Sequence, residues 1–232
     1  NCRVKNAPYD SSVRGTLEDD LFKQYALEYR DYINENDINE ALKKLNNIRF
    51  LCVTRENKHS VSETNKRIEN ILKYEIKNDE LFNPKEGFYH NQPIIVTKNN
   101  YELNVFNGDV GIIRKDGDVF NAYFEQSEKN ADKETSNEKQ PHKVPAGYLN
   151  EYKTAFAMTI HKSQGSEFKH VVVILPEKSD STLLTRELLY TGVTRAVSFA
   201  LIQSSEETLN TCIKTGVARS SGLQQRLLNE TI

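Results

Sequence analysis

Short apolar segments that alternate with a helical segment restrict the fold of this chain more than any other feature. Residues 171–175 contain no polar side chain, and 155–158 and 199–203 are nearly as apolar. Residues 185–197 separate two of these segments and have helical spacing. Strands that are apolar on both faces are typical of a parallel sheet covered by helices on both sides. We therefore predict an α/β fold.

The first part of the chain adds helices and one strand to this pattern. Two helices are predicted within residues 16–45, and Asp37 is suited to cap the second one. Residues 49–54 form a short apolar strand, and Ser60 followed by Glu63 predicts the start of a third helix. The order of helices and strands is again that of an α/β domain.

The hydrophobic pattern then changes to a period of two residues, which is typical of strands with one buried face. Residues 92–97, 110–114 and 119–124 follow it. Asn107 with Gly108 marks a tight turn, and Asp116 with Gly117 predicts a hairpin, because these dipeptides accept positive φ angles. A small unit of antiparallel strands is expected here.

These patterns predict two domains, one of them discontinuous in sequence. Residues 1–87 and 150–232 would form the α/β domain. Residues 88–149 would form a small β-barrel-like insertion, in which 125–143 is a polar, solvated loop and 144–149 closes the unit. No internal repeat is evident.

Composition narrows the function classes only partly. A formal net charge of −2 does not mark a nucleic-acid-binding protein, although a neutral protein can carry a basic groove. Cys2, Cys52 and Cys212 are far apart and lack zinc-site spacing, so we expect free thiols in a reducing cytoplasm and no metal site. No apolar run approaches the roughly 20 residues of a membrane span. The chain opens with Asn1 and its single methionine is Met158, so we expect a piece of a longer protein.

The densest polar cluster is at 159–167, between two predicted strands. Thr159, His161 and Ser163 can donate hydrogen bonds to phosphate oxygens, and Gly165 allows a ligand to approach the backbone. Ligands bind at the carboxyl ends of parallel strands. An ordinary solvated loop explains the same residues equally well, and the residues alone do not decide.

A second cluster lies in the predicted helix at 190–196. Thr191 and Arg195 are four residues apart and share a face, and Gly192 inside a helix suggests a close contact. Arg195 suits a phosphate because its planar guanidinium is always charged. Without further context, a surface arginine in a minor ion pair is the better interpretation.

Arg55 follows the strand at 49–54 and is expected at the carboxyl edge of the sheet. We expect Arg55, Arg195 and the loop with Gly165 and Glu167 to converge on one edge. Two arginines there would stabilise developing phosphate charge.

Together these segments resemble the RecD-like branch of the superfamily 1 helicases. Residues 157–168, which include the string HKSQGSEF, resemble helicase motif V. Residues 189–196, in the string RELLYTGVTRA, resemble motif VI, and 50–56 resemble motif IV. Residues 106–111 match the start of that branch's SH3-like insertion. The resemblance covers most of residues 17–228.

The resemblance implies roles for the candidate residues. The α/β domain would be the second of two RecA-like motor domains, which bind ATP and Mg²⁺ between them. Arg55 and Arg195 would be catalytic and contact the γ-phosphate, and Gly165 and Glu167 would also lie at the nucleotide. Single-stranded DNA would be contacted by Thr159, His161, Ser163 and Thr191.

The function implied is that of a 5′–3′ DNA helicase subunit of exonuclease V, which works with RecB and RecC in double-strand break repair and recombination. The 232 residues contain no G-x-x-x-x-G-K-[ST] phosphate-binding loop. We therefore expect no ATP hydrolysis by this chain alone. A stand-alone RecD-like helicase, a relaxase motor domain and a non-enzymatic nucleic-acid-binding module are the alternatives.

Overall fold

A computed structural model of the chain describes residues 2–6, 17–56, 59–76, 87–125, 140–176 and 183–217. Within these ranges, one sheet of five parallel strands and one of five antiparallel strands are formed. Helices flank the parallel sheet, so the predicted α/β class is confirmed. Most of the predicted polar loop, residues 126–139, lies outside the described residues.

The parallel sheet contains the first two strands of the chain and its last three. They are β1 (Cys2–Asn6), β2 (Ile48–Cys52), β8 (Ala157–Thr159), β9 (Phe168–Ile174) and β10 (Ala196–Ser204). Their spatial order is β1-β10-β9-β2-β8, so β2 lies between the two strands that bound the 159–167 cluster.

The antiparallel sheet uses the intervening part of the chain. Its strands are β3 (Gln92–Val96), β4 (Val110–Asp116), β5 (Val119–Phe124), β6 (His142–Pro145) and β7 (Tyr152–Thr154). Their order is β6-β5-β4-β3-β7. Asp116 pairs with Val119 and Gly117 has a φ of 62°, so the predicted hairpin is confirmed.

Six α-helices are described, and the predicted caps of two are confirmed. They are α1 (Leu17–Ala26), α2 (Arg30–Ile33), α3 (Ile38–Leu45), α4 (Val61–Ile76), α5 (Arg186–Val193) and α6 (Glu206–Lys214). A 3₁₀ turn (Leu27–Tyr29) joins the first two. The Asp37 side chain accepts a hydrogen bond from the Glu40 amide over 2.9 Å, and Ser60 does so from Glu63 over 3.3 Å.

The apolar strands have two buried faces because helices pack on both sides of the parallel sheet. Phe50 and Leu51 are neighbours in β2 and both are fully buried, yet they belong to different hydrophobic clusters. The Phe50 cluster includes residues of α1 to α4, and the Leu51 cluster includes residues of α5 and α6. A continuous apolar run is what such a strand requires.

Three predicted segments differ from the structure. The helix predicted over 185–197 ends at Val193, because Ala196 pairs with Phe168 and begins β10. The strand predicted over 144–149 ends at Pro145, which has no N–H for a ladder and precedes a 3₁₀ turn. Tyr152–Thr154 pairs with β3 and extends the antiparallel sheet beyond residue 149.

Buried polar side chains hold the connection between β7 and β8, where the chain passes from one sheet to the other. Asn65 donates to the Thr154 carbonyl over 2.9 Å and accepts from the Ala157 amide over 2.8 Å. The Tyr29 hydroxyl donates to the Phe156 carbonyl over 2.6 Å, and the buried Arg49 donates to that of Ala155. The two sheets are therefore joined by a fixed connection.

Candidate functional site

Residues 160–167, here called the crossing segment, run from the carboxyl end of β8 to the amino end of β9. Thr159 caps its first turn by accepting a hydrogen bond from the Lys162 amide over 3.3 Å. Ser163 is fully buried, and its hydroxyl donates to the Ile160 carbonyl over 2.7 Å. Ser163 thus stabilises the turn, and its burial does not support the predicted contact with DNA. His161 is exposed.

The second half of the crossing segment exposes its backbone. Gly165 has a φ of 85°, a conformation that favours glycine, and open space surrounds the position that a Cβ atom would take. Glu167 is exposed and lines a cavity of about 400 Å³ that faces the antiparallel sheet. Both predicted nucleotide-side residues are therefore accessible to a ligand.

Helix α5 packs closely on the crossing segment, as its internal glycine suggested. A Cβ atom at Gly192 would lie 3.3 Å from Cδ1 of Ile160 and 3.4 Å from Cγ2 of Val173. The predicted close contact at Gly192 is confirmed. The hydroxyl of Thr191 donates to the Glu187 carbonyl over 2.8 Å, so it already has a partner within the helix.

Arg195 lies between α5 and β10 and not within a helix, which corrects the prediction. Its Nη1 donates to the Ser166 carbonyl over 3.2 Å, and its Nε donates to the Thr191 carbonyl over the same distance. Its own carbonyl accepts from the Phe168 amide over 2.8 Å. Among the described residues, no carboxylate forms an ion pair with it. The half-buried guanidinium thus keeps an uncompensated positive charge beside the crossing segment.

Arg55 and Arg195 do not converge on one edge, and that prediction is wrong. Arg55 follows the carboxyl end of β2, whose last residue Cys52 pairs with Ile174 at the end of β9. Arg195 precedes Ala196, which pairs with Phe168 at the start of β9. At about 3.3 Å per residue, the two ends of β9 are about 20 Å apart. In parallel strands, a residue after one strand and a residue before another lie at opposite edges.

The structure places Arg55 with two lysines instead. Arg55, Lys153 of β7 and Lys162 of the crossing segment line a cavity of about 190 Å³ at the carboxyl edge, together with Thr159. Burial lowers the pKa of Lys162, and the charges of Arg55 and Lys153 lower it further. The sequence did not identify Lys153 as a site residue, because its position depends on the pairing of Tyr152–Thr154 with β3. No strand was predicted at these residues.

Within the described part of the chain, no group of three or more His, Cys, Asp or Glu side chains is placed to hold a metal ion. None of the described helices combines the length and the apolar character needed to span a membrane. Cys52 and Cys212 are buried free thiols.

Comparison with known proteins shows which class of protein the chain is related to. The family of the UvrD-like helicase C-terminal domain matches residues 154–198, which contain the crossing segment and α5. The chain thus carries the C-terminal domain of a superfamily 1 helicase.

Relatives then identify the branch. The RecBCD enzyme subunit RecD of Mycobacterium tuberculosis is 37% identical over 187 residues, which are 81% of this chain and 30% of that protein. The ATP-dependent RecD2 DNA helicase of Deinococcus radiodurans is 31% identical over 125 residues, 50% of this chain and 16% of that protein. This chain is a homologue of RecD over most of its length, and it spans about 30% of the length of the RecD relative.

Among solved structures, the Pif1 helicase from Bacteroides in complex with ADP-AlF3 and single-stranded DNA matches with a TM-score of 0.43. The match has 12% sequence identity and covers 94% of this chain and 55% of that one.

Proposed function

We propose that this chain is the second motor domain of an ATP-dependent 5′–3′ DNA helicase, the RecD subunit of an exonuclease V. In this proposal it acts in the cytoplasm with RecB and RecC homologues, in double-strand break repair and recombination. The contact of Arg195 with the crossing segment is the observation that carries the proposal. In this contact, a guanidinium that has no carboxylate partner among the described residues lies at the loop where this family is expected to meet a nucleotide.

The residues near Arg195 suit the phosphates of ATP. Among the residues that the structure describes, the Arg195 guanidinium has carbonyl and hydroxyl partners only, so a phosphate oxygen can replace the Ser166 carbonyl without separating an ion pair. Arginine binds phosphate through two parallel hydrogen bonds. Gly165 leaves room for the ligand, and we assign Glu167 to the nucleotide as well.

Hydrolysis of ATP, bound with Mg²⁺, would drive movement along DNA. We propose that this chain contributes Arg195 as a finger that stabilises charge in the transition state. The Mg²⁺ ion and the phosphate-binding loop would belong to a first RecA-like domain, because the 232 residues contain no G-x-x-x-x-G-K-[ST] sequence. The chain alone would then neither hydrolyse ATP nor unwind DNA.

For contacts with single-stranded DNA, we retain two of the predicted positions. These are the exposed side chain of His161 and the backbone near Thr159. The hydroxyls of Ser163 and Thr191 have internal partners, so we assign them to structure. We further propose that the insertion predicted at 88–149 forms an SH3-like subdomain within a motor domain made of 1–87 and 150–232. The antiparallel sheet of this subdomain is completed by β7 (Tyr152–Thr154), which lies beyond the predicted bound.

The test is ATPase activity, with and without single-stranded DNA, of this chain and of the full-length parent protein. We expect turnover only in the full-length protein, with stimulation by DNA. Turnover by this chain alone would contradict the proposal. So would a full-length protein that binds DNA but shows no ATPase activity, which would favour the nucleic-acid-binding module.

A stand-alone helicase remains the second candidate, because RecD2 also matches the chain. The RecD match covers 81% of the chain and the RecD2 match 50%, which favours RecD. Co-purification of the full-length protein with RecB and RecC homologues distinguishes the two candidates.

A further inference from the structure

Arg49 of β2 is a charged side chain in the interior of the fold. Its exposed fraction is zero, and it is the only buried side chain with a charge among the described residues. None of the described carboxylates forms an ion pair with it, and its Nε atom is buried there without a hydrogen-bond partner. Burial lowers the pKa of the guanidinium, although an arginine stays charged at neutral pH. The described part of the fold thus keeps a positive charge in its interior without a carboxylate partner.

Stability alone does not explain a guanidinium at this position. Removal of a charge from water is costly, and apolar side chains of similar volume often stabilise a buried position equally well or better. An apolar side chain, however, cannot donate several hydrogen bonds in fixed directions while it lies on an aromatic ring, and a guanidinium can. The contacts of Arg49 use both of these properties.

The Arg49 guanidinium joins three segments of the chain. Its Nη1 donates to the carbonyl of Ala155, in the connection between the two sheets. Its Nη2 donates to Oδ1 of Asn46 over 3.0 Å and to the Leu45 carbonyl over 3.5 Å, at the end of α3. Its Cζ lies 4.9 Å from the centre of the Phe168 ring, at the start of β9. One planar group therefore holds these three segments together.

Phe168 links this group to Arg195. The Phe168 amide donates to the Arg195 carbonyl over 2.8 Å, and Phe168 pairs with Ala196 in the parallel sheet. The Phe168 ring is buried, so a shift of this residue would disturb its contact with Arg49. The backbone of Arg195 is thus held through Phe168, while its guanidinium reaches the crossing segment at Ser166.

We propose that Arg49 is a positioning residue, which orients Arg195 through Phe168 and does not itself contact the nucleotide. The inference rests on the proposed function, in which Arg195 stabilises charge in the transition state. Misplacement of a catalytic group by about 1 Å, caused by a change far from the chemistry, can lower a rate about 100-fold. Arg49 fixes the start of β9 against the sheet connection and the end of α3, and so keeps Arg195 in place.

The alternative is that Arg49 only stabilises the fold. Tyr29 separates the two explanations, because it supports the same connection between the sheets. Its hydroxyl donates to the carbonyl of Phe156 over 2.6 Å, next to the carbonyl that Arg49 holds. Tyr29→Phe removes this donor and leaves the contact of Arg49 with Phe168 in place, so it is the matched control.

The experiment measures the ATPase kinetics of the full-length parent protein at saturating single-stranded DNA. Arg49→Met keeps a long side chain without charge or donors, and Arg49→Lys keeps a charge and one donating group. Phe168→Leu keeps an apolar side chain without the ring. Circular dichroism and thermal unfolding establish that each variant is folded, and if Arg49→Met does not fold, Arg49→Lys and Phe168→Leu decide the outcome.

We expect Arg49→Met and Phe168→Leu to lower kcat about 10- to 100-fold. The KM for ATP should change little, because the interaction of Arg195 is made in the transition state. Arg49→Lys should recover only part of the loss, since an ammonium group is not a planar fork. The double variant of Arg49→Met and Phe168→Leu should be no slower than either single variant, because both changes break the same link. Tyr29→Phe should lose stability and keep the kcat of the wild type.

Hydrogen exchange gives a second readout, at the atoms that Arg49 is proposed to position. The amide of Phe168 is compared with that of Val172 in the middle of β9, so that a global loss of stability cancels. In Arg49→Met, the Phe168 amide should exchange about tenfold faster relative to Val172, because the contact between the cation and the ring is lost. In Tyr29→Phe, the ratio of the two exchange rates should stay that of the wild type.

Several results would overturn the inference. They are a folded Arg49→Met variant with the kcat of the wild type, equal losses of kcat in Arg49→Met and Tyr29→Phe, and additive losses in the double variant. An unchanged exchange ratio in Arg49→Met would overturn it without reference to activity. The proposed function fails on a different result, the absence of DNA-stimulated ATPase activity in the wild-type full-length protein. Failure of the positioning role and failure of the helicase assignment are thus distinguishable.

Discussion

Nη1 of Arg195 lies 3.2 Å from the carbonyl oxygen of Ser166, a residue 29 positions earlier in the chain. This hydrogen bond ties the end of α5 to the loop that contains Gly165. The second polar cluster of the sequence is therefore joined to the last residues of the first one, at the amino edge of the sheet. A ligand that draws the Arg195 guanidinium away from Ser166 would break this hydrogen bond.

Arg195→Ala in the full-length protein should abolish DNA-stimulated ATPase activity, because the variant lacks the guanidinium that we assign to the transition state. Arginine fingers contribute about 10³- to 10⁵-fold to turnover. Arg195→Lys should rescue little, since an ammonium group does not bind phosphate as a planar fork. The measurement is kcat at saturating single-stranded DNA.

Arg186→Ala is the matched control for that prediction, because Arg186 is an exposed arginine in α5, the helix that precedes Arg195. It should leave kcat within about twofold, as expected for a surface substitution. Normal turnover by Arg195→Ala would exclude the role proposed for Arg195.

The contact of Gly192 with Ile160 gives a second prediction. Gly192→Ala gains about 0.8–1 kcal/mol of helix propensity. Its Cβ, however, would lie 3.3 Å from the Ile160 side chain, which is fully buried. Overpacking of a tight core costs about 1–3 kcal/mol, so we expect a net loss of about 1 kcal/mol in the free energy of unfolding.

Ile160→Val tests this explanation, because it removes the Cδ1 atom in the closest contact. Alone it should cost about 0.5–1.5 kcal/mol. The double variant should be more stable than the sum of the single effects by about 1 kcal/mol, a coupling of the size found for contacting residues. Additive effects in urea denaturation would mean that the two side chains do not compete for space.

Local patterns predicted the parts of the fold that local chemistry determines. Asp37 and Ser60 cap helices because their side chains satisfy free amides, and Gly117 takes a turn that needs a positive φ. The apolar runs of β2 and β9 are explained by two covered faces. Each of these features depends only on neighbouring residues or on the position of the strand in a parallel sheet covered by helices on both sides.

Features that depend on distant pairing were not predicted. The end of α5 is set by the pairing of Ala196 with Phe168, and the local sequence at 194–197 is compatible with a helix as well. The strand Tyr152–Thr154 depends on its pairing with β3. Arg195 lies at the amino edge because a helix between parallel strands returns the chain to the start of the next strand.

Asn65 gives a third prediction, about the connection between the two sheets. Asn65→Ala leaves the Thr154 carbonyl and the Ala157 amide without their side-chain partner. Buried polar groups left unsatisfied cost about 1–3 kcal/mol, so the free energy of unfolding should fall by about 2 kcal/mol. Asn70→Ala is the control, because Asn70 is exposed on the same helix. Equal stability of the two variants would show that the hydrogen bonds contribute nothing.

Glu69 predicts a dependence of stability on pH. Burial raises the pKa of its carboxyl group above the usual 4.5, although hydrogen bonds from Tyr89 and Thr154 act in the opposite direction. Folding therefore favours the protonated form. The stability that Glu69 contributes is fully present below pH 4.5 and is lost as the pH rises through the pKa of the folded state.

Glu69→Gln keeps an acceptor for the Tyr89 hydroxyl, which lies 2.6 Å from Oε1, and carries no charge. The variant should be more stable than the wild type at pH 7, and this difference should disappear toward pH 4 in urea denaturation. The control is the substitution of the exposed Glu102 by glutamine, which should change the free energy of unfolding at pH 7 by less than about 0.5 kcal/mol. A Glu69→Gln variant that is less stable at pH 7 would show that the charged carboxylate, and not the neutral one, is preferred in the fold.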